Sequence, residues 1–131
     1  MENAIREFWL ENAELTLRSD VEKYSVFTAE SIGFITAPRL QCADGFTMSV
    51  QASYTHYCSP RDYLRTGNYA SWEVGFPSQP DELLTQYAED ESNPTGTVYG
   101  YVQTAVINAV IAKHGGLVGP QLSSAKATGA A

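Results

Sequence analysis

The chain has 131 residues, of which 44% are hydrophobic and 18% charged, which is typical of one soluble globular domain. Its net charge of −7 disfavours direct binding to nucleic acid or to an anionic membrane, because both depend on clustered Lys and Arg. No apolar run reaches the roughly 18 residues that a membrane span needs, and the acidic N-terminal residues are unlike a secretory signal. We therefore expect a cytoplasmic protein that does not enter a membrane.

The N-terminal part of the chain predicts a helix. Residues 2–18 have helical apolar spacing, although Leu15 and Leu17 alternate and leave an extended end open. Residues 24–29 are consistent with a short strand. We expect residues 1–32 to form a helical segment of the same domain as a core over residues 33–116.

A hairpin is the clearest local prediction. Apolar and polar residues alternate strictly from Phe46 to Tyr54, and the partner strand runs from Phe34 to Cys42. A three-residue loop over residues 43–45 places Leu40 opposite Met48 on the apolar face, whereas a two-residue loop does not. The longer loop is therefore preferred.

Three further observations bear on the sheet and its helices. Pro38 cannot donate a ladder hydrogen bond, which indicates an edge strand. Strands are predicted over residues 70–76 and 97–102, and a helix is predicted to begin at Ser78 with Pro80 in its first turn. The best helical pattern runs from Thr104 to His114 and stops at two glycines.

Residues 117–131 are small and polar and predict a flexible tail. The order of elements predicts a single α+β domain, in which an antiparallel sheet of about four strands packs against two or three helices.

The segment from His56 to Asp62 gathers the most reactive side chains. Cys58 and His56 are interpreted first as residues at the rim of the core, and His114 as a ring that favours the negative end of its helix. An enzyme that uses Cys58 with a histidine base is an alternative, but no acid or oxyanion-hole motif accompanies it. The two cysteines do not have the spacing of a zinc site. With neither a zinc pattern nor a catalytic motif in the sequence, we expect no catalytic residue, metal or cofactor.

The acidity of the chain is local. Residues 66–112 contain no Lys or Arg but six acids, which are Glu73, Asp81, Glu82, Glu89, Asp90 and Glu91. A helix start explains Asp81 and Glu82, because negative charge is stabilising there, and the wet face of a strand explains Glu73.

The last three acids, Glu89, Asp90 and Glu91, lack such a structural reason. A solvated loop is the simplest interpretation of a short charge run. The alternative is a partner-binding surface, to which Tyr63 and Tyr69 would contribute as aromatics of the kind enriched at interfaces.

Five phrases of the core resemble a group of small accessory proteins encoded in bacteriophage and prophage genomes. The phrases span residues 33–39, 42–46, 56–61, 72–78 and 97–102, and the likeness covers about residues 33–116. The resemblance implies a phage context but carries over no activity or site residue. Small acidic phage proteins often look like inhibitors of host defence, including anti-CRISPR proteins, which bind basic nucleic-acid-handling surfaces.

The leading hypothesis is a non-enzymatic phage accessory protein in the bacterial host cytoplasm. It would bind a host protein with a basic surface through Glu89, Asp90, Glu91, Tyr63 and Tyr69. The alternatives are the cysteine enzyme described above and a virion or assembly component that self-associates, and a homo-oligomer is left open.

Overall fold

The computed structural model describes residues 3–17 and 33–121 and confirms the α+β class. The helices and strands are α1 (Ala4–Asn12), β1 (Glu14–Leu17), β2 (Gly33–Thr36), β3 (Leu40–Cys42), β4 (Thr47–Gln51), β5 (Ser71–Gly75), a 3-10 helix (Thr85–Tyr87), β6 (Val98–Gln103), α2 (Thr104–Lys113) and β7 (Leu117–Pro120). The strand predicted over residues 24–29 lies outside the described residues.

The main sheet has five strands rather than about four, in the order β6-β5-β4-β3-β7, and each neighbouring pair is antiparallel. Strands β1 and β2 form a separate antiparallel hairpin. The edge position predicted from Pro38 is wrong, because β3 lies between β4 and β7. Pro38 falls in the break between β2 and β3, where no ladder hydrogen bond is needed.

The predicted hairpin register is confirmed. Leu40 lies opposite Met48, and the N–H of Cys42 donates to the carbonyl of Phe46 at 2.8 Å. Gly45 has φ +96°, a conformation that L side chains rarely adopt and that glycine reaches without strain. The local pattern was therefore sufficient to predict the loop length and the pairing next to it. The prediction that the same strand begins at Phe34 is wrong, because residues 33–36 form β2 and pair with β1.

Both helices pack their apolar sides into one core with the sheet. α1 contributes Ile5, Phe8 and Trp9, and α2 contributes Ile107, Val110 and Ile111. The start of α1 is held by Asn108 of α2, whose side chain accepts from the N–H of Ile5 at 2.9 Å and donates to Asn3 at 3.0 Å.

Two predicted helices differ from the structure. α1 ends at Asn12 instead of residue 18, and residues 14–17 form β1. The helix predicted from Ser78 is reduced to turns and the 3-10 helix, because its capping group is used elsewhere. The Ser78 hydroxyl accepts from the N–H of Thr47 at 2.9 Å, and the Asp81 carboxylate accepts from the N–H of Leu83 in a local turn.

The predicted tail also begins later than expected. Gly115 and Gly116, with φ +92° and +94°, reverse the chain after α2. Residues 117–120 return beside β3 as β7, and the part of the tail beyond residue 121 lies outside the described residues. β7 thus forms one edge of the sheet and β6 the other.

Candidate functional site

The three unexplained acids lie on a loop that is fixed by hydrogen bonds. The N–H of Glu89 donates to the carbonyl of Val98 at 3.0 Å, and the N–H of Asp90 donates to the Thr97 hydroxyl at 3.2 Å. The Asp90 carboxylate accepts from both the N–H and the hydroxyl of Ser92. Asp90 therefore has a structural role, which the sequence analysis did not identify.

Glu89 and Glu91 differ from Asp90 in having no such role. Both are exposed, and neither forms an ion pair within residues 3–17 and 33–121. Their carboxylates are thus presented to solvent on a backbone that is already ordered.

The two tyrosines predicted to join these acids lie elsewhere. Tyr69 is 4% exposed, packs at 5.6 Å from Trp9 and 5.0 Å from Trp72, and its hydroxyl donates to the carbonyl of Asp62. Burial raises its pKa to about 12. Tyr63 is partly buried against Trp9 at 6.2 Å. A partner that approached this region would reach little of Tyr69.

The acidic loop and these tyrosines lie near opposite ends of β6. Glu89 is hydrogen-bonded to Val98 at the start of β6, whereas the backbone carbonyl of Tyr69 accepts from the hydroxyl of Thr104, just after its end. Six residues of extended chain span about 20 Å. One compact contact does not bring the five predicted residues together.

A different pair of aromatic residues lies along the same edge of β6 as the acids. Tyr57 and Tyr101 are 43% and 46% exposed, with ring centroids 6.1 Å apart. The N–H of Tyr101 donates to the carbonyl of Tyr57 at 2.9 Å, and the guanidinium of Arg61 lies 5.5 Å from the centre of the Tyr57 ring. Tyr57 also lies against Gly100, where an added Cβ would come within 3.4 Å of it.

Tyr101 is exposed because the backbone is bent there. It has φ +55°, a conformation that costs a bulky residue of order 1 kcal/mol or more. The β5–β6 register shifts at this point, since Trp72 pairs with Val102 but Val74 pairs with Tyr99. Such a bulge re-aims a side chain, and here it turns Tyr101 out beside Tyr57.

The tyrosine pair and the acidic loop therefore share one edge. Tyr57 is hydrogen-bonded to β6 at Tyr101, and Glu89 is hydrogen-bonded to β6 at Val98. These two positions on β6 are three residues, or about 10 Å, apart. We name the surface formed by Tyr57, Tyr101, Glu89, Asp90 and Glu91 the β6-edge face. The alternation of Tyr99 and Tyr101 in the sequence hinted at an aromatic strand, but the bulge is a tertiary feature that no local pattern reveals.

Cys58 and His56 do not form a nucleophile and base pair. The Cys58 thiol is fully buried and donates to the carbonyl of Ser53 at 3.1 Å, while Nδ1 of His56 is 2.7 Å from the Ser53 hydroxyl. Burial raises the pKa of the Cys58 thiol and lowers that of His56. A buried thiol with a raised pKa is a poor nucleophile.

His114 lies at the centre of a cluster of charged side chains. Its Nδ1 is 2.7 Å from Asp44 and its Nε2 is 2.8 Å from Asp81, and its ring stacks on Phe46 with centroids 3.9 Å apart and planes 7° from parallel. Lys113 lies 3.3 Å from the same Asp81 carboxylate. We name His114, Asp44 and Asp81 the His114 clasp.

The hydrogen bonds of the clasp favour the charged forms of both His114 and Asp81. Burial alone would lower the pKa of His114, but its hydrogen bonds to Asp44 and Asp81 outweigh that effect and raise the pKa. Burial alone would raise the pKa of Asp81, but hydrogen bonds from His114, Leu83 and Lys113 lower it. The His114 ring, with each nitrogen within hydrogen-bond distance of a carboxylate, joins α2 to the β3–β4 loop and to the chain after β5. With both ring nitrogens occupied, it has no free position for a substrate proton.

The part of the chain that the structure describes contains neither a metal-binding cluster nor a helix that could span a membrane. There, no three His, Cys, Asp or Glu side chains are grouped so that they could hold a metal ion. Neither described helix has the length and hydrophobicity of a membrane span. No protein-family model matches the sequence, and searches of curated proteins and of solved structures found no match either.

Proposed function

We propose that the protein is a non-catalytic binding protein whose β6-edge face contacts a basic surface of a partner protein. The observation that carries the proposal is that two exposed carboxylates, Glu89 and Glu91, which form no ion pair with any other described residue, lie along the same edge as an exposed tyrosine pair. Tyrosine supplies contact area with little conformational entropy to lose, and carboxylates complement Lys and Arg.

The backbone strain at Tyr101 supports the same proposal. A strained conformation persists when the surrounding structure enforces it, and strained residues cluster at ligand-binding sites. Here the strain exposes a tyrosine that the core does not use. Tyr57 and Tyr101 take the place of Tyr63 and Tyr69 in the proposed contact.

The biological setting is proposed from the sequence resemblance. A phage accessory protein in the host cytoplasm would use this face to cover a basic, nucleic-acid-handling surface of a host defence complex, in the manner of an anti-CRISPR inhibitor. The acidic face would then compete with the phosphates of the nucleic acid, and the complex would weaken as salt rises.

The test is a capture experiment from bacterial lysate with a charge-matched control. Glu89→Lys with Glu91→Lys reverses the charge of both glutamates and leaves the hydrogen bonds of Asp90 intact. Glu7→Lys with Glu11→Lys makes the same charge change on α1. A partner retained by the wild type and by the α1 variant, but lost by the loop variant, supports the proposal. Equal retention by all three proteins refutes it, and light scattering would detect a second copy of the chain as the partner.

A further inference from the structure

A groove of about 610 Å³ lies at the sheet edge opposite the β6-edge face. Its walls are α1 and β7, and the C-terminal half of α2 closes it. This volume is within the range of about 300–1,000 Å³ that ligand clefts usually have. The groove is thus large enough to hold several side chains of a partner.

One wall of the groove is an incompletely paired strand. Among residues 3–17 and 33–121, β7 pairs with β3 on one side and with no strand on the other, and Val118 within it is 64% exposed. An edge strand presents backbone N–H and C=O groups to any chain that lies beside it. Phe8, Ile111 and Leu117 add an apolar floor for alternate side chains of such a chain.

The other wall carries an acidic pair. Glu7 and Glu11 lie one helical turn apart on α1, and none of the described residues that line the groove is Lys, Arg or His. Within the described residues neither glutamate forms an ion pair. Like charges four residues apart destabilise a helix, and Glu11 in the last turn also faces the negative end of the helix dipole. A cation placed between the two carboxylates would relieve both penalties.

We propose that this groove binds an extended basic peptide segment of a partner protein. The segment adds as a strand to the free edge of β7, and one of its Lys or Arg side chains lies between Glu7 and Glu11. Backbone pairing supplies affinity, while the carboxylates and the apolar floor select the side chains. The site is independent of the proposed function, because the β6-edge face lies at the other edge of the sheet.

The binding test uses the full chain and a fluorescein-labelled eight-residue peptide of alternating valine and lysine. Fluorescence anisotropy should detect binding, and the same peptide with glutamate in place of lysine should not bind. Glu7→Gln with Glu11→Gln should weaken binding by about threefold to thirtyfold, as expected for two partly exposed charge pairs. Glu89→Gln with Glu91→Gln removes the same charge at the other edge and should leave affinity unchanged.

Three results would overturn the proposal. These are no binding of the lysine peptide, equal weakening by both double variants, and weakening by the loop variant alone. The last result would instead support the β6-edge face, so the two proposals fail separately. Loss of folding does not confuse the outcome, because removing the like-charge pair should leave the thermal midpoint of the α1 variant unchanged or higher.

Amide shifts provide the positional test. In ¹H–¹⁵N spectra the lysine peptide should shift the amides of Leu117, Val118 and Gly119 and give interstrand contacts across β7. Shifts confined to the region of Tyr57, Tyr101 and Glu89, or spread over the whole surface, would refute strand addition in the groove.

Discussion

Removing the imidazole of the His114 clasp tests the electrostatic argument most directly. In His114→Ala the Asp81 carboxylate, whose side chain is 1% exposed, keeps Lys113 as its one charged partner among the described residues. Losing a charge-assisted hydrogen bond to a buried carboxylate costs about 2–4 kcal/mol of unfolding free energy. Asp44 is half exposed and solvent screens it, so we assign the loss to Asp81.

The loss should depend on pH with a definite sign. The pKa of His114 is raised above its ordinary value of 6.5, so its contribution is full below pH 6.5 and disappears as pH rises through the folded-state pKa. The pKa values of Asp44 and Asp81 are lowered from 3.8, so their contribution is present above pH 3.8 and disappears as pH falls through the folded-state values. The difference between wild type and variant should therefore be largest between about pH 4 and 6.5.

Urea unfolding followed by tryptophan fluorescence measures this difference, because both Trp9 and Trp72 are buried. A double-mutant cycle of His114→Ala with Asp81→Asn isolates the pair, and Asp44→Asn is the control with a smaller expected loss. The reasoning is refuted if His114→Ala costs less than about 1 kcal/mol at pH 5.5. It is equally refuted if the difference from wild type grows between pH 6.5 and 8.

Three further predictions concern single residues. Iodoacetamide should alkylate Cys58 more slowly than free cysteine at pH 7.5, since burial raises the pKa of its thiol, and an equal or faster rate would contradict that. Tyr101→Gly should leave the free energy of unfolding unchanged or raise it by about 1 kcal/mol, because glycine adopts φ +55° without strain, and it should weaken partner capture. A lower free energy of unfolding in urea would argue against strain at this residue. Gly45→Ala should lower the free energy of unfolding by about 1 kcal/mol in the same assay, because φ is +96° there, although no atom lies within 4 Å of an added Cβ. An unchanged free energy of unfolding would show that the loop relaxes.

Features that depend on neighbouring residues were predictable from the sequence. The register of the β3–β4 hairpin follows from alternation and from Gly45, and α2 ends one residue before its predicted end. The pattern around Ser78 failed for a long-range reason. The Ser78 hydroxyl accepts a hydrogen bond from the N–H of Thr47 in β4, 31 positions away, and therefore does not cap a helix.

The candidate site was only partly predictable for the same reason. The charge run identified the loop at Glu89 and Glu91, but composition could not tell that Tyr69 packs against two tryptophans or that Tyr101 turns outward. The sequence predicts Asp81 as a helix-start residue, whereas in the structure it binds His114, 33 positions later. Side chains whose partners are distant in sequence leave no periodic signal.

The side-chain amide of Asn108 makes the formation of α1 depend on α2. α1 has nine residues, too few to persist alone in water, and the N–H of Ile5 in its first turn donates to a side chain of α2. The two helices should consequently form and melt as one cooperative unit, in which opening α2 also releases α1. The groove between α1 and β7 therefore exists only when the C-terminal half of the fold is in place, even though its acidic residues lie near the start of the chain.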